Sequence, residues 1–219
     1  MTTHAIHMQE PWNLSERLSS FSDWHRARKA VALCLSFKQR LRQLVNSKKT
    51  QPGKTVKRPR ESYTPILTVE EIKSAEKEIF KAVQAMAFHE DISTLKSLQA
   101  KVEGEERSAA RQKKTAMRKT SSLHCLDPFL ERDGVLRVGG RIKRGSFMEE
   151  IKFPVIIPRK DHVTDLIIKY FHEKVQHQGR GMSLNEIRSN GFWVIGETSA
   201  TAYVISKCVT CRKLRGAAQ

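Results

Sequence analysis

The chain has 219 residues, with 40 Lys+Arg against 23 Asp+Glu and a formal net charge of +17. Hydrophobic residues make up 39% and the mean hydropathy is −0.50, which excludes a multi-span membrane protein. It also leaves less apolar material than one tight globule of this size normally uses, so small folded units joined by basic, poorly packed segments are expected.

Residues 12–46 read as a helical segment. Trp24, Ala27, Ala30, Val31, Leu33, Cys34, Phe37, Leu41 and Leu44 recur near helical spacing, and Ser15 or Ser22 is placed to cap it. Cys34 sits in this apolar stripe and is expected in the core, while Arg26, Arg28, Lys29, Lys38, Arg40 and Arg42 fill much of the other face.

Residues 47–65 form a basic linker, broken by Pro52, Gly53 and Pro59, with Lys57-Arg58-Pro59-Arg60 resembling a short nuclear-import run. Residues 66–122 follow as a long helix with a charged tail. Thr68 and Glu71 fit a capping box, then Ile72, Ala75, Ile79, Val83, Met86 and Ala87 follow at three- and four-residue steps. A break is expected near His89–Asp91. Glu70, Glu71, Glu76 and Glu78 read as a solvated helix face.

From residue 126 the pattern changes. Asp133-Gly134 between two short β-prone runs signals a hairpin, and Gly139-Gly140 turns the chain. Phe153–Ile157, bounded by Pro154 and Pro158, reads as a short edge strand. Everything from His162 onward reads as helical.

The last fifty residues hold the informative chemistry: His172 and His177, then Cys208 and Cys211. Imidazole nitrogen and thiolate sulfur are the ligands zinc takes in a tetrahedron, and two thiolates cancel the ion's charge. Five residues of straight helix turn about 500°, so His172 and His177 cannot face one metal from an unbroken helix. His177 must lie past the helix end, which Gly179 is placed to allow. Ser183 and Glu186 read as the capping box of a second helix, and Ser199–Lys207 as a third that delivers the cysteines. A unit of this size gains from a structural metal. Cys125 has no assigned role. No apolar run reaches the ~20 residues of a membrane span and no leader pattern opens the chain, so an intracellular protein, nuclear or cytoplasmic, is expected.

Residues 126–219 resemble the integrase zinc-binding region of Bel/Pao-type retrotransposon polyproteins. The resemblance is carried by Asp127-Pro128-Phe129, the run Gly134 to Ile142, Phe153 to Pro158, His172, His177-Gln178-Gly179, Ile187-Arg188, Phe192-Trp193-Val194 and Cys208-Val209-Thr210-Cys211-Arg212. More weakly, the Leu67–Glu71 helix start and the Trp24 region are similar to the segment preceding integrase in such polyproteins. The resemblance implies a mainly α fold with a small β-hairpin and a C-terminal three-helix bundle over 161–213. Structural zinc would be held by His172, His177, Cys208 and Cys211. It further implies a role in binding element ends and in multimerisation, without catalysis. The three-carboxylate core of integrase would follow the zinc unit, and eight residues follow Cys211 here.

With the net charge, this points to nucleic acid, DNA first, as partner. Lys169, Lys174, Arg180, Arg188, Lys207, Arg212, Lys213 and Arg215 are the candidate phosphate contacts. The alternative is a protein-interaction adaptor that multimerises, or assembles with other element proteins, through the zinc bundle.

Overall fold

The computed structural model describes residues 14–50, 67–101, 121–139 and 149–216, with the backbone alone for 47–50, 100–101 and 149–150. Most of the basic linker, the Lys57–Arg60 run, the charged tail beyond residue 101 and the 140–142 part of the resemblance lie outside the described residues.

The described residues are mainly helical with a small sheet. Helices α1 (Leu14–Leu18), α2 (Trp24–Thr50), α3 (Val69–Ala87) and α4 (His89–Lys101) come first. Strands β1 (Phe129–Leu130) and β2 (Leu136–Arg137) follow, then α5 (Glu149–Lys152) and β3 (Val155–Ile157). The chain closes with α6 (His162–Lys174), α7 (Arg180–Ser189), β4 (Phe192–Val194), α8 (Glu197–Lys207) and α9 (Val209–Leu214).

Several local signals act as the residue types dictate. Thr68 and Glu71 form the reciprocal capping box of α3, with Thr68 Oγ1 accepting the Glu71 N–H at 3.2 Å and Glu71 Oε2 accepting the Thr68 N–H at 2.8 Å. These bonds, the Thr68 backbone donor foremost, hold the Glu71 carboxyl below its usual range. The Asp133-Gly134 turn makes the β1–β2 hairpin, pairing Phe129 with Arg137 and Leu130 with Leu136. Gly139 is obligatory, because a Cβ there would fall 2.3 Å from the Asp127 carbonyl oxygen.

Elsewhere the structure corrects the sequence reading. The first helical segment breaks at 19–23, and Asp23, rather than Ser15 or Ser22, caps α2 by accepting the Arg26 N–H at 2.7 Å. Ser15 instead donates to Asp161, the N-cap of α6. The α3–α4 break falls at Phe88, just before the expected span. Glu76 is not on a solvated face, because it pairs with the half-buried Arg28. Cys34 is exposed, not in the core.

Residues 153–157 yield an interior strand rather than an edge strand. In the sheet order β1-β2-β3-β4, β3 runs antiparallel to β2 and parallel to β4. The prolines flank the strand, so neither removes a donor from its ladder. Phe192–Val194, read as bulk over a helical core, is the fourth strand.

One strand of three residues therefore serves two cores. Val155 and Ile157 face a large cluster with Trp24, Ala27, Val31, Ile79, Phe80, Val83, Ile167 and Phe171. Ile156 faces a smaller one with Phe88, Leu95, Leu123, Leu130 and Leu136. The alternation of side chains along a strand sends one residue to each side. Composition suggests separate small units, yet the N-terminal helices and the C-terminal elements share the larger cluster. A run of aromatic contacts crosses it: Trp24 to Phe80 at 5.9 Å, Phe80 to Phe192 at 5.6 Å and Phe192 to Phe171 at 5.8 Å between ring centres.

The β2–β3 junction has one register pair, Arg137 with Val155. Where the ladder is short, the buried Gln84 of α3 substitutes for it. Its Nε2 donates to the Leu136 and Ile156 carbonyls, each at 2.8 Å, and its Oε1 accepts the Leu136 N–H at 2.7 Å. A buried amide with all these partners satisfied ties α3 to both strands at once.

Candidate metal centre

Helix α6 is positioned by its apolar face: Val163, Leu166, Ile167 and Phe171 are buried at helical spacing. Asp161 caps its start by accepting the Val163 N–H at 2.8 Å. Two further bonds pin the α1–α2 turn against it. His162 Nε2 donates to the Phe21 carbonyl at 2.6 Å, and Lys169 Nζ donates to that of Ser22 at 3.2 Å.

One turn past the buried Ile168, the helix presents His172, 1% exposed. The helix ends at Lys174, and Gln176 and His177 both adopt left-handed backbone, with φ of 52° and 60°. The His177 N–H closes back on the His172 carbonyl at 3.0 Å. This is the six-to-one bond of a Schellman-like helix end. His177 therefore lies past the helix end, as its spacing demands. The left-handed residues are Gln176 and His177, and Gly179 with φ of 97° starts α7 instead. Two non-glycine residues in this region cost of order 1 kcal/mol each, a cost the surroundings offset.

Cys208 sits at the junction of α8 and α9, half-buried, and Cys211 is buried in the first turn of α9. All four residues meet. His172 Nε2 lies 3.0 Å from His177 Nδ1 and 3.1 Å from Cys211 Sγ. His177 Nδ1 lies 3.4 Å from Cys208 Sγ and 3.9 Å from Cys211 Sγ. The four donor atoms are all within 4.8 Å of one another.

A tetrahedral ion with bonds of about 2.05 Å to nitrogen and 2.3 Å to sulfur sets ligand separations of about 3.4 Å for N–N, 3.6 Å for N–S and 3.8 Å for S–S. The observed spacings scatter around those values, so the cluster can hold a metal ion. Four protein donors leave no open position, the arrangement of a structural rather than a catalytic ion.

The support around His172 fits the same geometry. Its Nδ1 faces Ser183 Oγ at 3.1 Å, and that hydroxyl donates to the Gly179 carbonyl at 2.8 Å. Its Nε2 faces the other donors, so with an ion bound Nδ1 would carry the proton and donate to Ser183, which would fix ring and tautomer. By sequence Ser183 reads as a helix cap. It lies inside α7, which Gly179 begins, and orients a ligand instead. Burial first, then His177 and Arg215, push the His172 pKa down toward the neutral ring that coordinates. Burial and the adjacent Cys208 push the Cys211 thiol up, against Arg215. A metal would therefore have to displace a proton there, and its affinity would weaken as the pH is lowered.

The eight basic candidates are not equivalent. Lys174 pairs with Glu186 at 2.8 Å, and that bond leads in holding the Glu186 carboxyl low. Arg188 pairs with Glu197 and stands over the Trp193 ring. Lys207 bonds the Tyr203 hydroxyl and lies 4.1 Å from its ring centre. Lys169 holds the Ser22 carbonyl. Arg180 is exposed at the start of α7, and Arg212, Lys213 and Arg215 are exposed at the α9 end.

Neither known protein families, nor curated proteins, nor solved structures provide a match to this chain. No helix among the described residues is long and apolar enough to cross a membrane.

Proposed function

We propose that this chain is a non-catalytic, zinc-holding unit of the integrase type, derived from a Bel/Pao-like retroelement polyprotein, that binds nucleic acid through its basic surface. The observation that carries the reading is the convergence of donor atoms from His172, His177, Cys208 and Cys211 to within 4.8 Å of one another. Zinc fits best: mixed imidazole and thiolate donors in a closed tetrahedral set are the ligands that ion prefers, and two thiolates neutralise it.

The ion's role is to fasten α9 and the 175–179 turn to the end of α6. That brings Arg212 and Lys213 of α9, and Arg215 that caps its end, together beside the closed site. Phosphate contacts centre on these three and Arg180, because Lys174 and Arg188 are matched by Glu186 and Glu197. Such contacts attract nucleic acid without reading its sequence. Four protein donors would fill the coordination of a tetrahedral ion, so the reading assigns it no reaction.

Two measurements test it. Elemental analysis of the purified chain should find zinc at about one ion per chain. Binding of a labelled DNA duplex should weaken steeply with salt, and Arg212→Glu with Lys213→Glu should weaken it further at fixed salt. A metal-free folded protein would remove the zinc half of the proposal. Affinity indifferent to salt would remove the other.

A further inference from the structure

The two cysteines of the cluster are placed differently. Cys208, between α8 and α9, is half-buried, while Cys211 is only 4% exposed. Cys208 lines an open cleft of about 560 Å³ between α6 and the α8–α9 junction, together with Leu166, Lys169, Tyr203, Val204 and Lys207. Cys211 is not part of that lining. A small solute in the cleft therefore meets the Cys208 sulfur while Cys211 stays covered.

A thiolate that a peroxide can reach becomes a sulfenic acid, and a second thiolate close by turns that into a disulfide before oxidation goes further. The donor atoms of both cysteines lie within 4.8 Å of one another, and two residues separate them in the chain. Cys-x-x-Cys is a spacing at which reversible disulfides close. The imidazoles of His172 and His177 take no part in such a step. Closing the disulfide would remove both thiolates, which are half of the ligand set and all of the charge that offsets a divalent ion.

We propose that Cys208 and Cys211 are a redox-sensitive pair that exchanges a bound metal ion for a disulfide, with a hydroperoxide as oxidant and Cys208 as the point of entry. This deepens the zinc reading and rests on it. The Cys208 thiolate attacks the peroxide O–O bond; an S–O bond forms, and the departing oxygen takes up a proton and leaves as water or alcohol. The Cys211 thiolate then attacks that sulfur; the S–S bond forms, the S–O bond breaks, and the hydroxide takes up a second proton and leaves as water. The two sulfurs lose two electrons and the peroxide gains them. The reduced pair holds metal, the oxidised pair releases it, and a dithiol restores the first state.

The test uses the full chain carrying Cys34→Ser and Cys125→Ser, both at exposed positions, so that this pair supplies all the thiols. Reduced and loaded with zinc, it is titrated with hydrogen peroxide in the presence of a chromophoric zinc chelator. One zinc should be released for each disulfide formed, mass spectrometry should find Cys208 joined to Cys211, and dithiothreitol with fresh zinc should reverse both changes. In the loaded chain, brief treatment with iodoacetamide should mark Cys208 about tenfold more often than Cys211. Peroxide consumed with zinc still bound, or zinc released with sulfinic acid in place of the disulfide, overturns the proposal. Equal marking of the two cysteines overturns entry through Cys208. A reduced chain that takes up no zinc defeats the zinc reading instead. The pair is then judged on the metal-free chain, where peroxide should still close the disulfide, and failure to close it overturns the pair as well.

Discussion

Two regions hold this chain together by opposite means. At the end of α6, four side chains from residues 172 to 211 gather around one point, and each is of a type whose chemistry announces itself. In the middle of the sheet, a single neutral amide, Gln84, reaches from α3 to two strands that share one register pair. The first is a cluster at the rim that could hold a metal ion, and its strength as a fastening would then depend on that ion. The second is complete within the polypeptide. The contrast teaches that residue type identifies a site when the side chains carry the chemistry themselves. When a side chain only completes someone else's hydrogen bonds, position alone gives it a role.

The sharpest way to break the comparison is to remove the ion. Chelation, or Cys211→Ser, should lower the melting temperature by more than about 10 °C, since several kcal/mol of binding energy act as folding energy in such sites. The loss should also be uneven. Amide hydrogen exchange should accelerate first in α9 and the 175–179 turn, which the cluster fastens, while α3 and β3 keep the protection of the shared core. Uniform loss of protection would mean that the cluster holds up the whole fold. An unchanged melt would mean that it fastens nothing.

Much of this region is legible in the sequence. The spacing of the histidines forces the second past the helix end, and the donor types name the ligand class. Likewise Thr68 with Glu71, and Asp133 with Gly134, work through bonds and turns within a few residues. What could not be read depends on distant partners. Ser183 suits a helix cap by every local rule, and only the fold brings it to His172 Nδ1. Residues 192–194 are too short for alternation to reveal a strand. The stripe of α2 shows which residues share a face, while its periodicity carries no information on whether anything covers them, so it puts Cys34 in a core that stops short of it.

Gln84 is the next largest effect and probes the other half of the contrast. Gln84→Leu keeps much of the volume but strips partners from two buried carbonyls and one buried N–H. It should cost about 3 kcal/mol in urea unfolding, because each buried group left unmet costs roughly 1–3 kcal/mol. Chelated and metal-loaded protein should show the same loss if core and rim act independently. A loss confined to the loaded form would show that the two regions are coupled through α6.

The smallest effect lies at the hairpin and titrates. Burial raises the Asp133 carboxyl, but Lys77 at 2.9 Å, the Val135 N–H and the charges of Lys77 and Arg137 outweigh it, so its pKa lies below the usual value. A carboxyl whose folded pKa is depressed stabilises the protein above the unfolded pKa. That contribution is lost as pH falls through the folded one. The window therefore lies below about pH 4, under the ordinary aspartate value. Because the pair is partly open to solvent, Asp133→Asn should cost less than about 1 kcal/mol at neutral pH, and nothing once the parent carboxyl is protonated. Denaturation curves of the two proteins should therefore converge as acid is added. If they stay parallel, the Asp133 side chain holds the turn by shape, through its bond to Val135, and its charge contributes nothing. The Asp133 turn would then belong with Gln84 as a neutral fastening.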